Sequence, residues 1–346
     1  MPLALLCGSL LIAFGILEVS LRLVYPPPAR FLYPQEAYDF DPEVGHVLQR
    51  SQMAFTHDRP VRTNTLGLRD HEITPEPAPG TLRVLALGDS QTFGNGLDLD
   101  ETWPKQLEHV LPTTPTGRWE VINAGVPGTD TWQHEIFLNR LLDVTNPHVV
   151  VVALYVNDVV PRHDPRVTDT VTPTNNWEKR LTYLLKRSAV VTWLFHRVYL
   201  PLQARRADQI GSVEEHVLTG RSDPRADRGW RQVEHSLAAM KARCDARGVG
   251  MIVAILPRRD QVSGDRPERT FNQRALEVAI SHGIEVVDLL PNLMAAYRVQ
   301  GAALFVPWDG HDSAVANRVI AVTLAPRLAD LAARHGGRRT SATPAR

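Results

Sequence analysis

Leu82-Arg83-Val84-Leu85-Ala86-Leu87-Gly88-Asp89-Ser90 is the stretch that decides the fold. Leu82 to Leu87 is a short apolar run closed by Gly88, the pattern of a strand buried on both faces. Downstream, such runs alternate with helical spacing. Trp103 to Leu111 predicts a helix, with Pro104 tolerable in its first turn. Glu120 to Ile122 predicts a second strand, and Thr131 to Val144 a helix with Ile136, Leu138, Leu141 and Leu142 apolar. His148 to Tyr155 contains an unbroken valine run, Val149 to Val152, and suits a central parallel strand. After an interruption come a helix from Trp230 to Arg247, a strand from Met251 to Leu256 and a helix from Thr270 to Ser281. A strand from Ile284 to Asp288 and a final helix from Ser313 to Ala333 complete the series. Strands alternating with helices in this way predict an α/β fold: a doubly wound, flavodoxin-like parallel sheet with helices on both faces.

Residues 81–334 are read as the main α/β domain. Within it, about 160–227 breaks the alternation and is read as a helical insertion, carried by the amphipathic stretch Trp177 to Ala204. Packing on the domain is the plain use of that stretch; covering the site or touching a membrane are the others. The tail, 335–346, is basic and polar and is expected to be disordered. Upstream, residues 26–80 are rich in proline and polar side chains and read as a linker with a small N-terminal subdomain, ended by Pro75, Pro77 and Pro79.

Residues 1–25 are apolar, with no charged side chain from Met1 to Leu17 and only Glu18 and Arg22 before Val24. A helix from Leu3 to Val24 would be roughly 30 Å long, near the thickness of a bilayer core. A transmembrane or signal anchor is the preferred reading. A cleaved signal peptide ranks second, for want of a small-x-small site, and a buried core helix third. Few flanking basic residues are available to set orientation. A membrane-anchored main domain outside the cytoplasm is the working expectation, with orientation left open.

Composition narrows the function. Hydrophobic residues make up 43% and charged residues 22%, as in globular domains with a core. Lysine plus arginine equals aspartate plus glutamate, 38 against 38, so no overall positive field favours a nucleic-acid partner. Two cysteines, Cys7 and Cys244, make neither a disulfide framework nor a cysteine-rich zinc site. His46, His57, Asp58 and His71 show no metal-ligand spacing, and no metal or cofactor is expected. Gly94-Asn95-Gly96 lacks the lysine of a phosphate-binding loop.

In such sheets ligands lie beyond the carboxyl ends of the strands. Gly88-Asp89-Ser90, Asn123 to Gly128 and Asn157-Asp158 each follow a predicted strand, and Asp309-Gly310-His311 precedes the last helix. Together they supply the parts of an acyl-transfer site. Ser90 is the candidate nucleophile, His311 its base, and Asp309 the group that orients the base. The amides of Ser90 and Gly128 and the side-chain amide of Asn157 are the candidate oxyanion donors, with Gly125 as the rival to Gly128. Asp89 is expected to bond the turn backbone. Asp312 is a better cap for the final helix than Asp309. For Asn64 and Arg69, packing or a loop salt bridge is the plain reading and the active-site rim the other.

The order Ser90, Gly128, Asn157, His311 resembles the blocks that define SGNH hydrolases, over roughly Leu82 to Ala333. Thr63-Asn64-Thr65-Leu66-Gly67-Leu68-Arg69-Asp70 resembles a stretch preceding the catalytic domain in membrane-anchored bacterial members. There are two departures. Tyr155 stands where the third block usually has glycine, and the last block is Asp-x-His rather than Asp-x-x-His. The shorter form resembles relatives that act in exopolysaccharide O-acetylation. The resemblance implies a serine esterase of the SGNH/GDSL type. It would cleave a short-chain acyl ester, acetyl above all, from an ester substrate such as an acylated envelope carbohydrate, through an acyl-enzyme. An O-acyltransferase using the same residues and a non-catalytic envelope scaffold are the alternatives.

Overall fold

The computed structural model describes residues 2–24, 32–112, 117–160, 185, 187–194, 197, 208–307 and 309–339. Helix α1 (Pro2–Val24) is followed by two hairpins, β1 (Tyr38–Asp41) with β2 (Gly45–Leu48) and β3 (Met53–Thr56) with β4 (Arg59–Arg62). Then come β5 (Thr81–Gly88), α2 (Ser90–Phe93), α3 (Trp103–Val110), β6 (Arg118–Gly125), α4 (Thr131–Thr145) and β7 (Val149–Leu154). Beyond residue 160 the described helices and strands are α5 (Ala189–Leu194), α6 (Asp208–Thr219), α7 (Pro224–Ala246), β8 (Gly250–Ile255) and α8 (Arg259–Ser263). The last are α9 (Thr270–Ser281), β9 (Glu285–Asp288), α10 (Leu290–Gln300) and α11 (Ala314–Arg339).

The five longer-range strands form one parallel sheet in the order β6-β5-β7-β8-β9. In chain order this is 2-1-3-4-5, the flavodoxin-like doubly wound arrangement. Side chains alternate across it. Leu85, Leu87, Ile122, Val150, Val152 and Val253 enter one apolar layer, with Leu138 of α4 and Leu237 of α7. Val84, Ala86, Val121, Val149, Val151 and Ile252 enter the other, with Trp103 of α3 and Leu324 of α11. That double burial is why these strands read as continuous apolar runs. Each buried valine or leucine contributes about 1.5–3 kcal/mol of transfer free energy.

The hairpins were hidden in the proline-rich stretch, because four-residue strands leave too little alternation to read. They are no loose linker. Val44, Leu48, Val61 and Leu68 join the same apolar layer as Leu85 and Leu87. The Asn64–Asp70 segment then latches onto the catalytic domain. Asn64 Oδ1 accepts from the amides of Leu66 and Leu68 and shapes the turn. Arg69 is buried and donates to the carbonyls of Phe93 and Gly94 at 2.8 Å and of Leu97 at 2.5 Å. Asp70 meets Lys105 at 2.8 Å and the Asn123 amide at 2.8 Å. For Asn64 and Arg69 the packing reading is therefore the right one.

Most of the stretch Trp177 to Ala204 lies outside the described residues. Of it, α5 is helical, and Glu18 of α1 accepts from Ser188 Oγ at 2.6 Å and from the amides of Ala189 and Val190. In α1, Leu5–Val24 has a mean hydropathy of 1.8 and is long and apolar enough to cross a bilayer, a test that a signal sequence also passes. Both cysteines are free, Cys7 exposed and Cys244 buried. The final helix runs on to Arg339, into the tail expected to be disordered from residue 335.

Candidate active site

β5 ends at Gly88, and α2 begins at Ser90. Asp89 caps that helix: its Oδ1 accepts from the Gln91 amide at 2.9 Å. This sharp strand-to-helix turn presents Ser90 at the carboxyl edge of the sheet, beside the place where the strand order reverses between β5 and β7. Its hydroxyl lies 2.8 Å from His311 Nε2.

His311 comes from the loop before α11. Its Nδ1 bonds Asp309 Oδ1, and that same oxygen accepts from the His311 amide at 3.2 Å. A carboxylate on Nδ1 places the ring proton there and leaves Nε2 to accept from Ser90. Burial opposes charge on His311, yet the Asp309 hydrogen bond and the negative charges of Asp309, Asp89 and Asp312 win, and its pKa is raised. Asp309 is pushed up by burial and pulled down more strongly by hydrogen bonds from His311 and His57, which hold it well below the usual carboxylate range.

Asn157 follows β7, and its Nδ2 donates to Asp89 Oδ2 at 2.7 Å. That bond fixes which way the amide faces, because a carboxylate only accepts, and it leaves the second N–H of Nδ2 uncommitted to Asp89. The loop is braced from behind. Asp158 accepts from the Tyr155 amide at 2.7 Å and from Thr131 Oγ1 at 2.8 Å, and burial raises its pKa well above normal. His134, fully buried beside it, is lowered by burial to about 3 and is neutral at physiological pH.

Gly128 lies on the loop after β6 at a φ of 76°, and a Cβ there would meet only the His46 ring, 3.8 Å away. The positive φ, rather than crowding, is what favours glycine here. Its rival differs. Gly125 donates its amide to Asn123 Oδ1 at 3.0 Å, which removes it as an oxyanion donor. A Cβ on Gly125 would lie 2.2 Å from the Phe93 amide nitrogen, so this glycine allows β6 to approach α2.

Asp312 does not cap α11. Ser313 directly precedes that helix and its carbonyl accepts from the Asn317 amide at 2.9 Å. Asp312 instead bridges to Phe305, donates its amide to Gln91 Oε1 at 3.2 Å, and has its carboxyl raised to about 7 by burial. The local competition between adjacent residues for the cap position is not visible in composition.

Two residues near His311 were missed by sequence reasoning. Asn95 Nδ2 is 3.5 Å from His311 Nε2. His57 Nε2 is 3.0 Å from Asp309 Oδ2. Neither belongs to a recognisable spacing. Tyr155, the departure from the third block, lines a cavity of about 360 Å³ with Glu214, Arg258, Arg259, Asp260 and Gly310. Gly310 joins the two triad candidates, so the cavity opens beside them.

A model of the GDSL-like lipase/acylhydrolase family matches residues 86–318. The chain belongs to this family. It is an ester-hydrolysing enzyme of the SGNH/GDSL type, on the parallel sheet already described. No curated relative matches the sequence. Among solved structures the enzyme is similar to TesA, with 18% identity and a TM-score of 0.44 over 72% of this chain and 99% of that one. It is also similar to the lipase/acylhydrolase from Enterococcus faecalis, with 16% identity and a TM-score of 0.41 over 71% of this chain and 95% of that one. A catalytic mutant of Axe2, an acetylxylan esterase from Geobacillus stearothermophilus, gives 15% identity and a TM-score of 0.40 over 72% and 94%.

Proposed function

We propose that this hydrolase cleaves a short-chain acyl ester, acetyl above all, from a polar alcohol such as an envelope glycan. The observation that carries the reading is the 2.8 Å contact between Ser90 Oγ and His311 Nε2, with Asp309 on the far ring nitrogen. Ser90 Oγ attacks the acyl carbon while His311 Nε2 takes its proton. The C–O bond to the alcohol then breaks, and His311 returns the proton to the leaving oxygen. Water attacks the acyl-serine by the same route and releases the acid. Asp309 holds the imidazole tautomer and stabilises the imidazolium. The amides of Ser90 and Gly128 and the second N–H of Asn157 Nδ2 receive the oxyanion, each contributing about 3–4 kcal/mol in the transition state.

The substrate class rests on the cavity beside Gly310. Its lining carries Arg258, Arg259, Glu214 and Asp260, which offer donors and acceptors suited to hydroxyl groups. The helix α1 would anchor the enzyme, with the catalytic domain outside the cytoplasm. Kinetics on p-nitrophenyl esters of increasing chain length, with acetate release from acetylated polysaccharide, test this. The expected result is a kcat/KM highest for acetyl and falling steeply beyond butyryl. Preference for long-chain esters would contradict the substrate class. Acylation of an added sugar acceptor in preference to acetate release would favour transfer over hydrolysis.

A further inference from the structure

We propose that His57, contributed by the N-terminal hairpins, is a positioning residue for the catalytic carboxylate, an inference that rests on the Ser90–His311–Asp309 reading above. His57 Nε2 donates to Asp309 Oδ2 at 3.0 Å, while Oδ1 of the same carboxylate serves the ring and amide of His311. The division of labour follows from the short Asp-x-His spacing. Asp309 reaches His311 by folding back within its own turn, so one oxygen is used twice and the other faces away. A carboxylate held on one side only is free to rotate about its terminal bond. A second donor on Oδ2 fixes its plane and keeps Oδ1 on Nδ1 as the imidazolium forms.

The way His57 is held supports a dedicated role. Thr56 pairs with Arg59, so His57 and Asp58 form the two-residue turn between β3 and β4. His57 takes a φ of 58° there, a left-handed conformation that a non-glycine residue adopts only under strain. Glycine or asparagine is the ordinary occupant of such a turn. A strained backbone whose side chain touches the proposed catalytic group points to function. The turn is also clamped from outside. Gln35 accepts the His57 amide at 2.8 Å and donates to the His57 carbonyl at 3.0 Å. Thr56 Oγ1 accepts the Gly96 amide at 3.1 Å, which ties the hairpin tip to the loop carrying Asn95. His57 lies upstream of residues 86–318, so the hairpins supply to the site a side chain that the family's domain does not contain.

The test uses the full chain in detergent, with p-nitrophenyl acetate as substrate and a fluorophosphonate as probe of the nucleophile. His57→Ala removes the donor, and His57→Gln supplies an amide N–H at similar reach. Both replacements meet the same left-handed backbone penalty, so their difference isolates the hydrogen bond. The expected result is a kcat lowered about 10- to 100-fold in His57→Ala, with KM within about twofold and Tm close to that of His57→Gln. His57→Gln should recover most of the rate. A kcat within twofold of wild type in His57→Ala overturns the proposal, as does an equal loss in both variants. Ser90→Ala is run beside them. A wild-type enzyme that is neither labelled nor active overturns the nucleophile reading and this proposal together. Labelling lost only in Ser90→Ala, together with a kcat of His57→Ala within twofold of wild type, upholds the nucleophile and refutes the role of His57 alone.

Discussion

His311 sits between two opposing influences, burial that disfavours its charge and carboxylates that favour it, and the carboxylates prevail. The sign of the resulting pH dependence is fixed. On the proposed mechanism the base must be neutral, so kcat/KM should fall as pH drops through a His311 pKa displaced above the ordinary histidine value. Asp309→Asn removes the largest raising influence. The acid limb should move to lower pH, and kcat should fall by about 10³- to 10⁴-fold because the tautomer is lost. A pH–rate profile of both proteins checks this, and an unmoved limb would show that Asp309 does not govern the base. At this scale the sequence was legible where chemistry is local. Ser90, His311 and Asp309 stand in short recognisable blocks, and the structure places them in contact. His57 was not legible, because its role depends on a turn that meets Asp309 only after the sheet and hairpins are assembled.

At the scale of elements, the strand-turn-helix from β5 into α2 works because β6 comes close behind it. Gly125→Ala would drive a methyl into the Phe93 backbone, 2.2 Å away, and that backbone has no slack. Overpacking of this kind costs about 1–3 kcal/mol or more. Thermal unfolding should show a Tm lowered by several degrees, with soluble yield reduced; a Tm unchanged within a degree would argue against the packing account. The Arg69 latch makes the complementary case. Arg69→Leu leaves the carbonyls of Phe93, Gly94 and Leu97 without their donor. The expected loss is about 3 kcal/mol, or roughly 6–12 °C in Tm. The inner sheet strands β5, β7 and β8 were readable because they are buried on both faces, and β7 opens on an unbroken valine run. Arg83 did not spoil the first of them, because its buried guanidinium reaches Glu120 at 2.8 Å and the Thr74 carbonyl at 2.9 Å. The hairpins were not readable, since β1 alternates weakly, with both central residues, Asp39 and Phe40, exposed.

For the whole molecule, the catalytic domain and the N-terminal hairpins share one apolar layer and one set of buried polar ties. Removing residues 1–80 would expose the layer holding Leu85 and Leu87 and leave Lys105 without Asp70. Such a chain should aggregate, whereas removing 1–30 should leave a folded, monodisperse protein, as judged by size-exclusion chromatography and circular dichroism. A well-folded chain starting at Thr81 would contradict this view of the subdomain. The doubly wound order explains why residues from opposite ends of the chain meet. β5 and β7 neighbour each other at the reversal, and the loop before α11 returns to the same edge. Reaction of the wild type with a fluorophosphonate probe, beside Ser90→Ala and His311→Ala, tests the central claim most directly, because it reads nucleophile activation without knowing the substrate. The expected result is labelling of the wild type at Ser90 and none in either variant. Labelling that persists in Ser90→Ala, or a folded wild type that stays unlabelled, would contradict it.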